Sequence, residues 1–358
     1  MPTILLTGST GHVGFQTLLH ALREGYSVRA AVRSEQKAAS IRAHPSVIAL
    51  SPGYRLDIVI VPDITESGAF DKVVGGCDFI IHIASPLATS NKVNAVVYGD
   101  YFIRPAVAGT LGILEAAKRS GRVRRVVITS SISALIPFEV LEGQDEVIAP
   151  VLPTDRIPLD TGPYPSEFAA YAASKVAALQ AAELWMDMNA PSFDVTYLHP
   201  SFIEGRNDLA TCPREALNGT NGIVLGIALG QTFETFIGAT VHNEDVAMAH
   251  VRALDWDVPS NRSYVLSQPS HWNDVQTVVE RDFPDAPLPK SGEVNTVKME
   301  VDTSETEWAF KFKFTGFDEQ VRSVVGHFLE LRKRHQSEGR LCKHESRVDS
   351  VLDVGSTS

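Results

Sequence analysis

The chain opens with a short strand, a glycine turn and the start of a helix, and this order restricts its fold more than any other feature. Three glycines follow the apolar run Ile4–Leu6, and apolar residues then recur at helical spacing from Phe15. Gly8 permits a tight turn, Gly11 lets the backbone approach a phosphate, and Gly14 lets the helix pack against the strand. Free N–H groups at the helix start favour an anion. The pattern predicts a site for a dinucleotide pyrophosphate.

Strand and helix patterns alternate through the first half of the chain. The run Val123–Thr129 is rich in β-branched residues, which suits a strand buried on both faces of a parallel sheet. The repeated order predicts an α/β fold, a Rossmann-type doubly wound parallel sheet with right-handed crossovers. The predicted strands are Ile4–Thr7, Ser27–Val32, Leu56–Val61, Asp78–His82 and Val123–Thr129, and the predicted helices are His12–Glu24, Glu35–Ala43, a short one near Ser67–Val74 and a long one inside Asn94–Ser120.

The second half is less regular, which predicts a smaller C-terminal substrate-binding lobe. Residues 1–198 are expected to form the Rossmann domain, which carries the cofactor and catalytic residues. Residues 199–334 form mainly the lobe, with some segments returning to the core, and the polar residues 335–358 form a flexible tail. The predicted elements are helices at Ser166–Asn189, Gly222–Leu229, Asn243–Leu254 with Asn243 as N-cap, His271–Arg281 and Phe317–Arg334, and strands at Phe193–Leu198 and Arg262–Leu266.

Charge and cysteine content exclude several classes of partner. The chain of 358 residues has a net charge of −11, which disfavours nucleic acid and anionic membranes, and no apolar run is long enough to span a bilayer. The scattered cysteines, Cys77, Cys212 and Cys342, show no metal-binding spacing and fit a reducing compartment. We expect a cytoplasmic monomer or homodimer that acts on a small molecule and has no metal site.

The end of the second strand bears on the choice of cofactor. A free ribose 2′-OH is usually held there by Asp or Glu, about 20 residues past the glycines. Here the strand ends at Arg33, Lys37 lies one turn further on, and the nearest carboxylate is Glu35. A guanidinium favours the 2′-phosphate of NADPH or NADP+. The alternative is a solvated pair of cations at a helix start.

A second motif carries acid–base chemistry. Tyr171 and Lys175 are four residues apart, so on a helix they share a face. A nearby ammonium favours phenolate and lowers the pKa of a phenol toward a useful range. Such a pair could protonate a carbonyl oxygen while a hydride reaches the carbon. Ser131, with Ser130 as its competitor, lies at the carboxyl end of a strand and could hold the carbonyl.

Together these motifs resemble the extended short-chain dehydrogenases/reductases, and within them the NADPH-dependent aldehyde and ketone reductases of fungi and yeasts. The resemblance runs from about residue 3 to about residue 333. It is carried by the glycine turn, by Tyr171 and Lys175, and by the runs Val28–Arg33, Asp63-Ile64, His82–Pro86, Thr129–Pro137, Val241–Ala247 and Phe314–Phe317.

The resemblance implies roles for individual residues. Tyr171 is implied to be the general acid, Lys175 to lower its pKa and bind the nicotinamide ribose, and Ser131 to orient the carbonyl. The implied cofactor-binding residues are Thr7, Gly8, Thr10, Gly11, His12, Val13, Gly14, Arg33, Lys37, Asp63, Ile64, Ala84, Ser85, Pro86, Tyr171, Lys175, Pro200 and Phe202.

The chain departs from the family pattern near the substrate. His199 stands where the family has Asn, and is interpreted as a hydrogen-bonded turn residue or a substrate contact. The asparagine of the family's proton relay has no clear counterpart in Arg104–Thr110, and residues 206–235, which align poorly, are expected to cap the site. A loop over Pro137–Ser166 and nearby aromatic residues predict an apolar pocket for a hydrophobic aldehyde or ketone. Its candidate residues are Ser133, Phe138, Phe168 and Ser201.

The leading hypothesis is an NADPH-dependent carbonyl reductase, and fungal secondary metabolism is the setting that the resemblance suggests. One alternative is an epimerase or dehydratase of the same superfamily that retains and recycles its cofactor. Another is a non-catalytic NADP-sensing protein, which the presence of both Tyr171 and Lys175 disfavours.

Overall fold

A parallel seven-stranded sheet forms the centre of the molecule, as the sequence predicts. The computed structural model describes residues 1–85, 98–145, 149–289 and 292–338. The strand order is β10-β6-β5-β4-β1-β2-β3, and every neighbouring pair is parallel. The strand order reverses at β1, because β2 and β3 lie on one side of it and β4, β5 and β6 lie on the other. The carboxyl ends of β1 and β4 therefore border the crevice in which such folds bind ligands. The strands are β1 (Thr3–Thr7), β2 (Ser27–Val32), β3 (Leu56–Ile60), β4 (Phe79–His82), β5 (Arg125–Thr129), β6 (Asp194–Pro200) and β10 (Arg262–Leu266).

Helices cover both faces of this sheet and enclose two apolar cores. One core packs α4 and α6 against one face, and the other packs α1, α2 and α9 against the opposite face. Continuous burial on both sides explains the uninterrupted apolar character of the central strands. These helices are α1 (His12–Arg23), α2 (Glu35–Arg42), α3 (Pro45–Leu50), α4 (Arg104–Ser120), α5 (Phe138–Leu141), α6 (Glu167–Asn189) and α9 (Asn243–Arg252), and α4 follows a π-helical turn at Gly99–Ile103.

Most of the remaining elements form a smaller unit around a third apolar core. The exceptions are β10 (Arg262–Leu266), which joins the main sheet, and the helix Ser304–Phe310, whose Ala309 and Phe310 belong to the core that packs α1, α2 and α9. Strand β9 pairs with β7 and β11, and β8 pairs with β12. These elements are β7 (Phe202–Glu204), β8 (Phe233–Ile237), β9 (Ala239–His242), β11 (Gln268–Pro269), β12 (Val294–Val297), α7 (Pro213–Ala216), α8 (Asn221–Ala228), α10 (Asp274–Asp282), α11 (Ser304–Phe310) and α12 (Phe317–Glu338).

Several local predictions were wrong. Ser67–Val74 forms consecutive turns rather than a helix, because Gly68 has φ +76°. The N-cap of α9 is His242, whose Nδ1 accepts from the Glu244 N–H, while Asn243 is already helical. The final helix continues to Glu338, so residues 335–338 belong to α12 and not to the predicted tail.

Two further observations concern cysteines and membranes. Cys77 is a buried free thiol and Cys212 is disulfide-bonded, a state that the cysteine spacing did not predict. Within the described ranges, none of the helices is both long and apolar enough to cross a bilayer.

Candidate active site

The glycine turn has the shape that a dinucleotide requires. A Cβ at Gly8, which has φ +80°, would lie 2.8 Å from the Ala84 nitrogen, and a Cβ at Gly14 would lie 2.1 Å from the Gly8 oxygen. Both positions therefore demand glycine. Gly11 is the N-cap of α1 and gives no side-chain cap, so the first N–H groups of the helix stay open to an anion. The cradle fits the pyrophosphate of a nicotinamide dinucleotide, and Thr10 and Val13 lie in or beside it.

The side chains of Thr7 and His12 form hydrogen bonds within the protein and do not point to a role in binding phosphate. The Thr7 hydroxyl accepts from the Ile83 and Ala84 N–H groups, both at 3.1 Å, and bonds His82 at 3.0 Å. It thereby joins the ends of β1 and β4. His12 Nε2 lies 3.3 Å from the Arg206 oxygen, and burial lowers its pKa to about 4. His12 is therefore neutral, and a charge on it cannot attract phosphate at neutral pH.

Arg33 follows the end of β2 and is exposed. Within the described part of the chain, its guanidinium makes neither a hydrogen bond nor an ion pair. Lys37 lies in the first turn of α2 and is also exposed. The nearest carboxylate, Glu35, is engaged by Arg42 at 2.8 Å. Among the described residues at the end of β2, the charges without an ion-pair partner are therefore the positive ones, Arg33 and Lys37.

The residues predicted to contact the adenine and the nicotinamide lie in different surroundings. Asp63 is exposed and its Oδ1 accepts from the Thr65 N–H and hydroxyl, while Ile64 lies against α4, where a Cβ on Gly109 would approach it within 3.1 Å. Ala84 and Ser85 follow β4 as predicted, and Pro86 lies outside the described residues.

Helix α6 places Lys175 beside the end of β5. Lys175 is 6% exposed, and its Nζ donates to the Thr129 oxygen at 3.2 Å. Burial lowers the pKa of Lys175 to about 8. The Thr129 hydroxyl lies 2.6 Å from His250 Nε2, a contact from α9 that sequence reasoning missed because it joins residues 121 positions apart. Thr129 therefore positions Lys175 through its carbonyl oxygen, and His250 positions Thr129 through its hydroxyl.

Tyr171 lies on the same face of α6, and the Lys175 Nζ is 5.7 Å from the centroid of its ring. Burial raises the pKa of Tyr171 to about 12, and a hydrogen bond with the Ser131 side chain acts in the opposite direction. The net shift is therefore opposite in direction to the lowering predicted from the nearby Lys175. The reason is that the loss of solvation outweighs a cation at this distance.

The structure separates the two competing serines. Ser131 is partly exposed, contacts Tyr171 and accepts from the Ser133 N–H at 3.2 Å. Among the described residues, the Ser130 hydroxyl is buried without a hydrogen-bond partner, and Ser130 lines a small cavity beside Lys175. Ser131 therefore reaches Tyr171, whereas Ser130 lies against the cavity. The Ser133 hydroxyl is likewise buried with no partner in the part of the chain that the structure describes.

Aromatic rings continue from Tyr171 toward α5. The Phe168 ring stacks on Tyr171 at 6.4 Å and contacts Phe138 at 5.6 Å, so an apolar wall adjoins the phenol. Phe138 begins helix α5, where a loop was expected.

Two candidates from the end of β6 are engaged elsewhere. The Ser201 hydroxyl is buried and donates to the Leu266 oxygen at 3.3 Å. Phe202 packs against Phe236 and Trp272 in the smaller unit. Pro200, the last residue of β6, is buried at the same edge as Thr129.

His199 is a strand residue and not the turn residue that the sequence predicted. It is fully buried, its Nδ1 lies 3.2 Å from the Ser131 oxygen, and its Nε2 lies 2.9 Å from the Ser263 hydroxyl. Both ring nitrogens are therefore in use, which excludes a direct substrate contact in this arrangement. Burial lowers the pKa of His199 to about 3, so it is a neutral support for the Ser131 backbone.

A doubly wound sheet with a glycine turn after β1 and a tyrosine–lysine pair on α6 is the arrangement of a nicotinamide-dependent oxidoreductase. Residues 4–267 match the NAD dependent epimerase/dehydratase family, and the chain belongs to that family. Its membership of the extended short-chain dehydrogenases/reductases, predicted from the sequence, is confirmed, as is its assignment to the oxidoreductases.

Named relatives agree with this assignment. The chain is 40% identical to "Ketoreductase CTB6" of Cercospora nicotianae over 350 residues, which cover 93% of this chain and 96% of that protein. It is 30% identical to "Aldehyde reductase 2" of Sporidiobolus salmonicolor over 300 residues, covering 80% and 82%. The solved yeast methylglyoxal/isovaleraldehyde reductase Gre2, complexed with NADPH, has the same fold, with a TM-score of 0.78, 23% identity and coverage of 93% and 99%.

Proposed function

We propose that the protein reduces an apolar aldehyde or ketone to the alcohol with NADPH. The observation that carries this proposal is the grouping of Ser131, Tyr171 and Lys175 beside an aromatic wall, at the edge of the sheet that holds the glycine cradle. The unengaged cations at the end of β2 favour a cofactor with a 2′-phosphate. The names of the ketoreductase and aldehyde reductase relatives support the choice of substrate class.

Each residue has a distinct task in this reaction. The Ser131 hydroxyl donates to the carbonyl oxygen, and Tyr171 transfers its proton to that oxygen as charge develops there. The ammonium of Lys175 stabilises the phenolate that remains and binds the ribose of the cofactor. Gly8, Gly11 and Gly14 and the start of α1 would hold the pyrophosphate, and Arg33 would hold the 2′-phosphate. The bound nicotinamide supplies the hydride.

The decisive assay is the loss of NADPH absorbance at 340 nm against aromatic and aliphatic aldehydes and ketones, with NADH in parallel. We expect oxidation with preference for NADPH and for apolar substrates. If the protein binds NADPH but oxidises none with any carbonyl, the proposal is wrong. NAD or NADP retained tightly through purification would then indicate a cofactor-recycling epimerase or dehydratase.

The pH dependence should follow Lys175 rather than Tyr171. Tyr171 stays protonated below pH about 12, whereas the ammonium of Lys175 is lost as pH rises through about 8. We expect kcat/KM for NADPH, measured at saturating carbonyl, to be level below pH 8 and to fall about tenfold per pH unit above it. Lys175→Met should show a low, flat profile across the same range. A wild-type profile without a break between pH 7 and 10 would contradict this assignment.

A further inference from the structure

Reduction of a carbonyl consumes one proton per turnover, and that proton must return to Tyr171, which is partly exposed and lies beside the buried Lys175. When Tyr171 protonates the carbonyl oxygen, its O–H bond breaks and a phenolate remains. The phenolate must gain a proton from solvent before the next turnover, because the hydride supplies only an electron pair and a hydrogen nucleus to the carbon. The asparagine of the family's proton relay has no clear counterpart in Arg104–Thr110, so other residues of this chain must be considered for the path.

A small cavity lies on the inner side of Lys175. Its volume is about 20 Å³, enough for one water molecule. The cavity is lined by six polar side chains besides Lys175, namely His82, Ser85, Thr110, Thr129, Ser130 and Tyr197. The Ser130 hydroxyl has no hydrogen-bond partner among the described residues. A buried water typically needs two to four polar partners, and this lining supplies them.

Tyr197 forms another wall of this cavity and is shared with a second space. A groove of about 680 Å³ on the outer side is also lined by Tyr197, together with Arg156, Glu183 and Ser263. The Tyr197 side chain is 5% exposed, and its hydroxyl is buried without a hydrogen-bond partner among the described residues. Because Tyr197 lines both spaces, and neither the donor nor the acceptor of its hydroxyl is engaged by a described residue, this phenol can join the two spaces.

Charged and polar side chains of the groove lining bind one another. Arg156 Nη2 forms an ion pair with Glu183 at 2.6 Å and donates to the Ser263 hydroxyl at 3.0 Å. Ser263 in turn meets His199, which supports the Ser131 backbone. Burial raises the pKa of Tyr197, and the nearby negative charge of Glu183 raises it further. The phenol therefore stays neutral and keeps its proton to donate.

We propose that Tyr197 relays protons from the surface groove to the water-sized cavity at Lys175. This inference rests on the proposed reductase function. In each cycle the Tyr197 hydroxyl accepts a proton from groove water as it donates its own to the cavity water. That water protonates Lys175 as Lys175 passes a proton toward the Tyr171 phenolate, so one proton enters and none is left over.

Tyr197→Phe tests this relay, because it removes the hydroxyl and keeps the ring. Stopped-flow mixing of enzyme and NADPH with carbonyl separates the first turnover, for which Tyr171 already holds its proton, from later ones. We expect a first turnover at the wild-type rate, followed by steady-state turnover slowed about tenfold, with a larger solvent deuterium isotope effect. Small buffer acids at high concentration should restore part of the later rate.

Tyr264→Phe is the matched control. Tyr264 is fully buried on the neighbouring strand and donates to the Pro259 oxygen, and it lines neither space. We expect its steady-state rate to equal that of the wild type. Because the Tyr197 hydroxyl has no hydrogen-bond partner among the residues that the structure describes, Tyr197→Phe should not lower the melting temperature. Tyr264→Phe, which loses a hydrogen bond, should lower it.

The outcomes are distinct. An unchanged steady-state rate in Tyr197→Phe would overturn the relay, and so would a first turnover slowed by the same factor as later ones, since that indicates a structural effect. A wild-type protein that binds NADPH and reduces no carbonyl would overturn the proposed function itself.

Discussion

Replacing Tyr171 with phenylalanine is expected to lower kcat for carbonyl reduction by about 10²–10⁴-fold, the range that a positioned acid contributes. The variant keeps the ring that stacks on Phe168 at 6.4 Å, so the aromatic wall and the helix are preserved. It loses only the hydroxyl that bonds Ser131 and that would protonate the carbonyl oxygen. Steady-state oxidation of NADPH at saturating carbonyl measures this effect.

NADPH binding is the control for this variant. The cradle at the glycine turn and the charges at the end of β2 lie outside the change, so the Kd for NADPH should rise by no more than about tenfold, the equivalent of one hydrogen bond. Fluorescence titration of NADPH measures it. A Tyr171→Phe enzyme with wild-type kcat would remove Tyr171 from the mechanism, and a Kd that rises as steeply as kcat falls would show a damaged fold.

The local sequence was sufficient to predict the central sheet. Ser27–Val32 and Arg262–Leu266 were predicted with the bounds that the structure gives, because the apolar residues of each strand lie within one short consecutive run. The turns at Ser67–Val74 were mistaken for a helix because the apolar spacing suggested one, and the positive φ of Gly68 is not visible in that spacing. The strands β7 and β11, of three and two residues, have too few residues to show a period of their own.

In the candidate site, too, local spacing could be predicted from the sequence, whereas long-range contacts could not. The Tyr171–Lys175 pair follows from helical geometry, and the structure places both residues on one face of α6. What the sequence could not show was solvation. The high pKa of Tyr171 and the lowered pKa of Lys175 both arise from burial, which depends on elements far apart in the chain. The same is true of His199, whose two partners come from β10 and from the segment after β5.

Changing Arg33 to aspartate is expected to weaken NADPH binding by about 100-fold or more, and NADH binding much less. The guanidinium stands at the end of β2, where the ribose of the adenosine half is expected, and it is exposed with no carboxylate engaged to it among the described residues. A hydrogen bond to a charged group contributes about 1.5–3 kcal/mol, and the substitution replaces attraction of the 2′-phosphate by repulsion. Because NADH lacks that phosphate, a carboxylate can instead accept from its 2′-OH.

Arg23→Asp provides the matched control, since it makes the same charge change at an exposed position at the other end of the first helix. Its effect on either cofactor should be small, because a charge more than a Debye length from the phosphate is largely screened at physiological salt. Titration of both cofactors into the wild type and the two variants gives the ratio of NADPH to NADH affinity. Equal losses of affinity for NADPH and NADH in Arg33→Asp would contradict the assignment of Arg33 to the 2′-phosphate. A comparable loss of NADPH affinity in Arg23→Asp would mean that the preference for NADPH arises from net charge. A ratio that falls only in Arg33→Asp ties cofactor choice to this one strand end, where Glu35 is paired with Arg42 and leaves the cation unopposed.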